Sequence, residues 1–383
     1  MSVNKIDFKM NQGKLFYLAP DDLNKIFEHF KSRGYKVIGP TVVDDAIVYD
    51  EISDVKDLPV GVGDEQSPGI YRLKSRDDGA FFGYVVGPHS WKRFLYPPIL
   101  TLFEARRENG NIKISECNDE DVKFLFVGVR ACEISAIMIL DKVLGGGQYV
   151  DPVYIKRRKN TFILAVNCNE PGGNCFCFST GTGPRALAGY DIVLTEVILN
   201  DKHYFTARAG SDQGEEVLED LGFREASQDE VKEAEKILSE APNKFTKRVD
   251  LTNVVEILQS NYENPLWDKI AERCLSCGNC TMVCPTCFCH NIEDVTDLLG
   301  QVARRIRRWD SCFTVEFSYI HGGSVRYSTM SRYRQWIMHK LSTWKNQFGM
   351  IGCVGCGRCI TWCPVGIDIT EGVKSFKEVL NKI

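Results

Sequence analysis

The sequence predicts a chain in two parts, an α/β domain over residues 1–250 and a mainly α domain with a long insertion over residues 251–383. Three observations carry this division. Two apolar runs, KFLFVGV and TFILAV, flank a stretch of helical periodicity, as buried strands of an α/β sheet do. A cysteine motif occurs twice towards the C-terminal end, in CLSCGNCTMVCP and CVGCGRCITWCP. The segment between the copies is far longer than a compact unit built on them requires.

Composition removes several classes of function. With 383 residues, 44% hydrophobic and 26% charged, the chain has the balance of a folded protein of two or three domains. A net charge of -4 makes it neither a polyanion nor an obvious nucleic-acid binder. The start, MSVNKIDFKMNQGKLFY, lacks the basic flank and apolar run of a secretory signal, and no later stretch is apolar for long enough to span a bilayer. The expectation is a cytoplasmic protein with no membrane span. Sixteen cysteines in such a chain point to metal ligation rather than disulfides, because the cytosol keeps thiols reduced.

In the first part, LNKIFEHFKSRG places Leu23, Ile26, Phe27 and Phe30 on one helical face before Gly34 stops it. YKVIGP and AIVYDEI read as strands, PPILTLFEARREN as a helix, KFLFVGV as a buried strand, ACEISAIMILDKVL as a helix and TFILAV as the next buried strand. Cys132 therefore follows one strand at a helix start, and Cys168 follows the next. If the two strands are parallel neighbours, both thiols emerge at the carboxyl edge, where α/β sheets bind ligands. Cys175 and Cys177 follow in the loop NCNEPGGNCFC. The four thiols predict a third metal-cluster site, with helix N-terminal amides near Cys132 favouring negative charge. The alternative is that they are small buried hydrophobes, and Cys117 is read as packing only. The acidic stretch over residues 213–245 reads as surface helices or a bridge, and a docking surface is the sharper alternative. VGVGDEQSPG and LGGGQYV lack the spacing of a dinucleotide fingerprint, so nicotinamide and flavin are expected on another chain.

The second part opens with helical spacing through Val254, Val255 and Leu258 and then carries the repeated motif, C-x2-C-x2-C-x3-C-P. Three thiolates at that spacing reach three corners of a cubane from one curled loop, while the fourth cysteine serves the other cluster. Cys274, Cys277, Cys280 and Cys363 are thereby assigned to one [4Fe-4S] cluster, and Cys353, Cys356, Cys359 and Cys284 to its twin. Structural zinc more often takes two separated C-x2-C pairs. Gly278 and Gly357 follow the second cysteine of each copy, where the backbone must wrap closely. The part is thus expected to be a dicluster, bacterial 2[4Fe-4S] ferredoxin-like domain.

The insertion is rich in Arg304, Arg305, Arg307, Arg308, Arg326, Arg332, Arg334 and Lys340, interleaved with aromatics. Nucleic acid is one reading of that pattern. Neutralisation of the clusters and pairing with an acidic partner is preferred, and the run between Arg304 and Lys340 is expected to fold close to both clusters and to form the docking surface. Cys287, Cys289 and Cys312 have no assigned partner: they ligate another metal or merely pack.

GVRACEISAI, NCNEPGGNCFC followed by STGTGP, CPTCFC after the first motif, and RRWDSCF with HGG resemble the iron-sulfur beta subunit of cytosolic NAD(P)-linked nickel-iron hydrogenases, the sulfhydrogenases, over nearly the whole chain. An iron-sulfur component of anaerobic sulfite reductase is a relative, and similar chains accompany heterodisulfide-reductase-type complexes. The resemblance implies a non-catalytic electron-transfer subunit of an anaerobic, multi-subunit oxidoreductase, set between an NAD(P)H-linked flavoprotein and a catalytic reductase or hydrogenase subunit. It carries over the eight motif cysteines position by position. A self-contained reductase whose first domain binds substrate or flavin is the second class considered, and a structural zinc or nucleic-acid protein the third.

Overall fold

The computed structural model describes residues 13–85, 87–116, 121–199 and 202–380. Cys117 lies outside the described residues.

A seven-stranded sheet forms the body of the first part. Its strands are β1 (Leu15–Leu18), β2 (Tyr35–Val43), β3 (Ala46–Glu51), β8 (Lys123–Val129), β9 (Thr161–Val166), β10 (Ile192–Leu199) and β11 (Lys202–Ala209), in the order β1-β11-β10-β9-β8-β2-β3. The centre, from β10 through β9 and β8 to β2, is parallel, and the outer pairings are antiparallel. The two apolar runs lie at this centre: every residue of β9, and all of β8 after Lys123, is buried, as a parallel strand covered on both faces requires. Helix α1 (Asp22–Lys31) buries the predicted Leu23, Ile26, Phe27 and Phe30. A small hairpin, β4 (Val62–Ser67) with β5 (Ile70–Ser75), stands apart from the sheet. A short turn of helix, α2 (Lys92–Leu95), precedes β6 (Ile99–Glu108), and α3 (Ala131–Gly145) and α4 (Pro152–Lys159) connect β8 to β9. The acidic stretch forms two surface helices, α6 (Asp212–Asp220) and α7 (Gln228–Glu240), which bury Val217, Leu218, Ala234 and Leu238.

Two expectations need correction. Residues 97–109 do not form a helix: β6 occupies them and turns back into β7 (Asn111–Glu116). Asn109 and Gly110 both have positive φ, +50° and +80°, so Asn-Gly makes the tight turn that joins antiparallel strands. The second part is not mainly α throughout. Its insertion sends out a hairpin, β12 (His290–Thr296) and β13 (Val302–Trp309), and β13 pairs with β6, completing a four-stranded sheet in the order β12-β13-β6-β7. Both halves of the sequence thus contribute strands to one sheet.

Around that hairpin the second part is helical. Helices α8 (Val254–Ser260), α9 (Leu266–Ala271), α11 (Thr329–Met338) and α14 (Ile369–Leu380) enclose a core of Val254, Leu258, Trp267, Tyr333, Trp336 and Phe376. A π-helical turn, His339–Thr343, continues α11 into α12 (Trp344–Phe348). The cysteine motifs sit on short helical turns, α10 (Asn279–Met282) and α13 (Arg358–Thr361).

Candidate metal centres

The N-terminal thiols meet as the sheet topology requires. Cys132 lies in the first turn of α3, directly after β8, and Cys168 lies just past the end of the parallel neighbour β9. The loop beyond folds Cys175 and Cys177 back, Cys177 opening a short helix, α5 (Cys177–Thr180). All four line one cavity with Arg130, Glu133, Cys356 and Arg358. Cys177 lies against Cys132 and lowers its pKa, while burial raises that of Cys168 and Cys175.

The two motif loops lie side by side. Cys274, Cys277, Cys280 and Cys363 line a second cavity, and Cys359 of the other motif reaches its wall. Cys363 is a near electrostatic neighbour of Cys274 and Cys280, and Cys284 is one of Cys353, Cys356 and Cys359. The fourth cysteine of each motif therefore approaches the opposite loop. Gly278 and Gly357 cap α10 and α13 with φ of +72° and +76°. A Cβ on Gly357 would stand 2.4 Å from the Asn174 carbonyl oxygen, so this residue fits the loop on two counts. Amides of Ser276 and Ile367 donate to the sulfurs of Cys274 and Cys363 at 3.4 and 3.3 Å. Burial pushes the Cys280 and Cys359 thiols well up and Cys356 up to about 12. Thiols in that condition stay protonated unless a metal displaces the proton. Two crowded sets of sulfurs, each spread around a cavity rather than drawn to a point, suit a cluster better than one ion. Among the described residues no three potential ligands converge as a single metal ion would need.

The three thiol sets adjoin. Cys356 faces the N-terminal cavity and Cys359 faces the cavity of the first motif. Loop 174–182 is stitched to the second motif: the Phe176 amide donates to the Gly355 carbonyl at 2.8 Å, and the Thr182 hydroxyl to the Val354 carbonyl at 2.7 Å. Beside these contacts a buried ion pair, Arg358 Nη2 to Glu133 Oε1 at 2.6 Å, ties α13 to α3. Tyr49 and Trp91 also donate to Glu133. Cys277 and Leu275 are exposed, Leu275 by 64%, so the first motif is the set nearest solvent.

The arginine run is not the free docking surface expected from the sequence. Arg304 pairs with Glu104 at 2.7 Å, Arg305 with Asp294 at 2.6 Å and Arg308 with Glu293 at 3.5 Å, and Arg307 is buried against Asp151 and the ring of Tyr96. These β13 charges are met within the chain, by acids of the neighbouring strands β6 and β12 and by Asp151 at the start of α4. Buried cations near the thiols include Arg130, Arg358, Lys92, Lys340 and Arg332, the last beside Cys274. Lys340 and Arg332 belonged to the predicted set. Arg130 and Arg358 adjoin Cys132 and Cys356 in sequence, and a basic residue beside a ligand was the signal available.

Residues 273–367 match the 4Fe-4S dicluster domain family. Over 296 residues, 76% of this chain and 83% of the relative, the chain is 35% identical to the sulfhydrogenase 2 subunit beta of Pyrococcus furiosus. No solved structure matches the chain.

Proposed function

The chain belongs to the family of sulfhydrogenase beta subunits, and from that premise we propose that it relays electrons between an NAD(P)H-linked flavoprotein and a terminal catalytic subunit, in the first instance a hydrogenase. Its dicluster domain makes it an iron-sulfur electron-transfer subunit. In our reading Cys274, Cys277, Cys280 and Cys363 hold one [4Fe-4S] cluster, Cys353, Cys356, Cys359 and Cys284 hold the second, and Cys132, Cys168, Cys175 and Cys177 hold a third. A [4Fe-4S] group supplies a site that accepts and releases one electron. The protein's part is to space such sites, exclude water and balance their charge.

The observation that carries this reading is the continuity of the three thiol sets. The N-terminal cavity shares Cys356 with the second motif, and the second motif shares the wall of the first cavity through Cys359. A line of this kind has two ends. One lies against the sheet edge, and the other emerges at exposed Cys277 and Leu275. We place a partner protein over the latter end, in the cytoplasm, where the thiols stay reduced.

The test is the ligand exchange between motifs in anaerobically purified protein. Cys284→Ser and Cys353→Ser should alter the same electron paramagnetic resonance signal, and Cys363→Ser and Cys277→Ser the other. If each substitution affects only its own motif's cluster, the exchange is wrong. Isolated chain that retains flavin, or turns over NAD(P)H alone, would reject the relay in favour of a self-contained reductase.

A further inference from the structure

Cys287, Cys289 and Cys312 belong to none of these three sets. Cys287 and Cys289 lie between the first motif and β12, and Cys312 lies just beyond β13. Pairing of β12 with β13, closing at His290 and Trp309, brings the two ends of the hairpin together. The ladder continues one step further, with the Asp310 amide donating to the Cys289 carbonyl at 2.9 Å. There the Cys289 and Cys312 side chains are immediate neighbours, as are those of Cys287 and Cys284.

Two lysines are buried among these sulfurs. Lys92, 4% exposed, donates to the carbonyls of Cys284 and Cys287 at 3.1 and 2.8 Å and lies 3.9 Å over the Trp309 ring. Lys340, 3% exposed, is delivered by the π-helical turn after α11 and donates to Cys284 Sγ at 3.2 Å, Thr286 Oγ1 at 3.1 Å and the Gly352 carbonyl at 3.1 Å. Neither forms a salt bridge with a carboxylate among the described residues; the groups near them that can carry negative charge are Cys284, Cys287, Cys289 and Cys353. Neutral thiols would leave both ammonium groups buried without a counter-charge, a costly arrangement. Cys284 and Cys353 account for the charge beside Lys340 through the second motif's cluster.

We infer that Cys287, Cys289 and Cys312 hold a further iron-sulfur cluster through three thiolates, packed against Cys284, with Lys92 and Lys340 as its buried counter-cations. Three thiolates outweigh the positive charge of an iron-sulfur core, so the site carries the net negative charge that the two lysines need. A lone zinc ion fits less well. It takes four ligands in a closed structural site, and the nearest fourth sulfur, Cys284, is assigned to the second motif's cluster. No three ligands converge at single-ion spacing among the described residues. The position, between Cys280 of the first set and Cys284 of the second, makes the site a side station on the relay rather than a continuation of its line.

The experiment compares full-length chain with the Cys287→Ser/Cys289→Ser/Cys312→Ser variant, both purified anaerobically, by iron and acid-labile sulfide content and by Mössbauer and electron paramagnetic resonance spectra. The expected result is loss of one cluster's iron and sulfide while the two ferredoxin-type signals remain. Unchanged iron and sulfide in the folded variant, or zinc bound at these positions in the unsubstituted chain, overturns the inference. If the triple variant does not fold, the Cys168→Ser/Cys175→Ser variant decides the matter. It should retain iron beyond two [4Fe-4S] clusters, and iron for two clusters only overturns the inference.

Discussion

Glu133 shows what a single side chain contributes and why the sequence conceals it. Within ACEISAIMIL it is one charge in an apolar helix, a pattern that reads as a solvated position. In the fold it is 2% exposed and accepts from Arg358, Tyr49 and Trp91. Burying a carboxylate is tolerable only with such a full set of donors, and removing one member of a buried pair costs about 3–5 kcal/mol. Glu133→Ala should lower the denaturant midpoint accordingly, whereas the paired replacement Glu133→Leu/Arg358→Met should recover much of the loss. Gly355 is a second such point. Its φ is +63°, and a Cβ there would lie 2.6 Å from the Cys177 amide nitrogen and Cα. Gly355→Ala should therefore push loop 174–182 off the second motif and reduce bound iron, as measured by metal content after anaerobic reconstitution. The motif cysteines were legible because their geometry is local, three ligands within one curled loop. The acids that neutralise the arginine run were not, because Glu104 and Asp151 lie far away in sequence.

At the level of elements, helix α7 illustrates a boundary written fully in sequence. Ser227 accepts from the Glu230 amide while the Glu230 carboxylate accepts from the Ser227 amide, a reciprocal cap. Ser227→Ala should cost about 1 kcal/mol. The Arg224 guanidinium, and then the cap, holds the Glu230 carboxyl down to about 2. Because the folded pKa is depressed, this stabilisation is present above the ordinary glutamate range near 4.5 and is lost as pH falls towards about 2. A Glu230→Gln variant should be less stable than the parent at pH 7, and the gap in Tm should close on acidification; a gap independent of pH would deny the linkage. Strand β6 is the contrary case. Ile99, Leu100, Leu102, Phe103 and Ala105 satisfy a helical stripe as well as a strand, and pairing with β13, remote in sequence, decides between them. The local signal that would have settled it was Asn109-Gly110, read together with the alternation in NIKISE. The parallel centre was legible, by contrast, because continuous apolar runs have few other places to go.

For the whole molecule, the boundary near residue 250 divides the sequence more cleanly than it divides the structure. Strands β6 and β7 come from one side and β12 and β13 from the other, and the cavity of Cys132, Cys168, Cys175 and Cys177 takes Cys356 and Arg358 as part of its wall. A fragment ending at Asp250 should accordingly lack a closed N-terminal site and expose the edge of β6. Its expected behaviour is aggregation, with little iron retained after reconstitution; a monomeric fragment with a full cluster would show that the second half is dispensable there. No helix among the described residues is long and apolar enough to cross a membrane.

The pairing of β6 with β13 also has a consequence in time. Arg304 and Glu104, joined across that pair, are 200 positions apart, and at ribosomal rates of about 5–20 residues per second the earlier strand waits at least about 10 s for its neighbour. Throughout that interval the nascent chain holds a β6–β7 hairpin with one edge of β6 unpaired, and four cysteines whose enclosure is missing its last wall. If these four thiols hold the proposed third cluster, iron arriving during synthesis would meet an open site, and its insertion would follow completion of the chain.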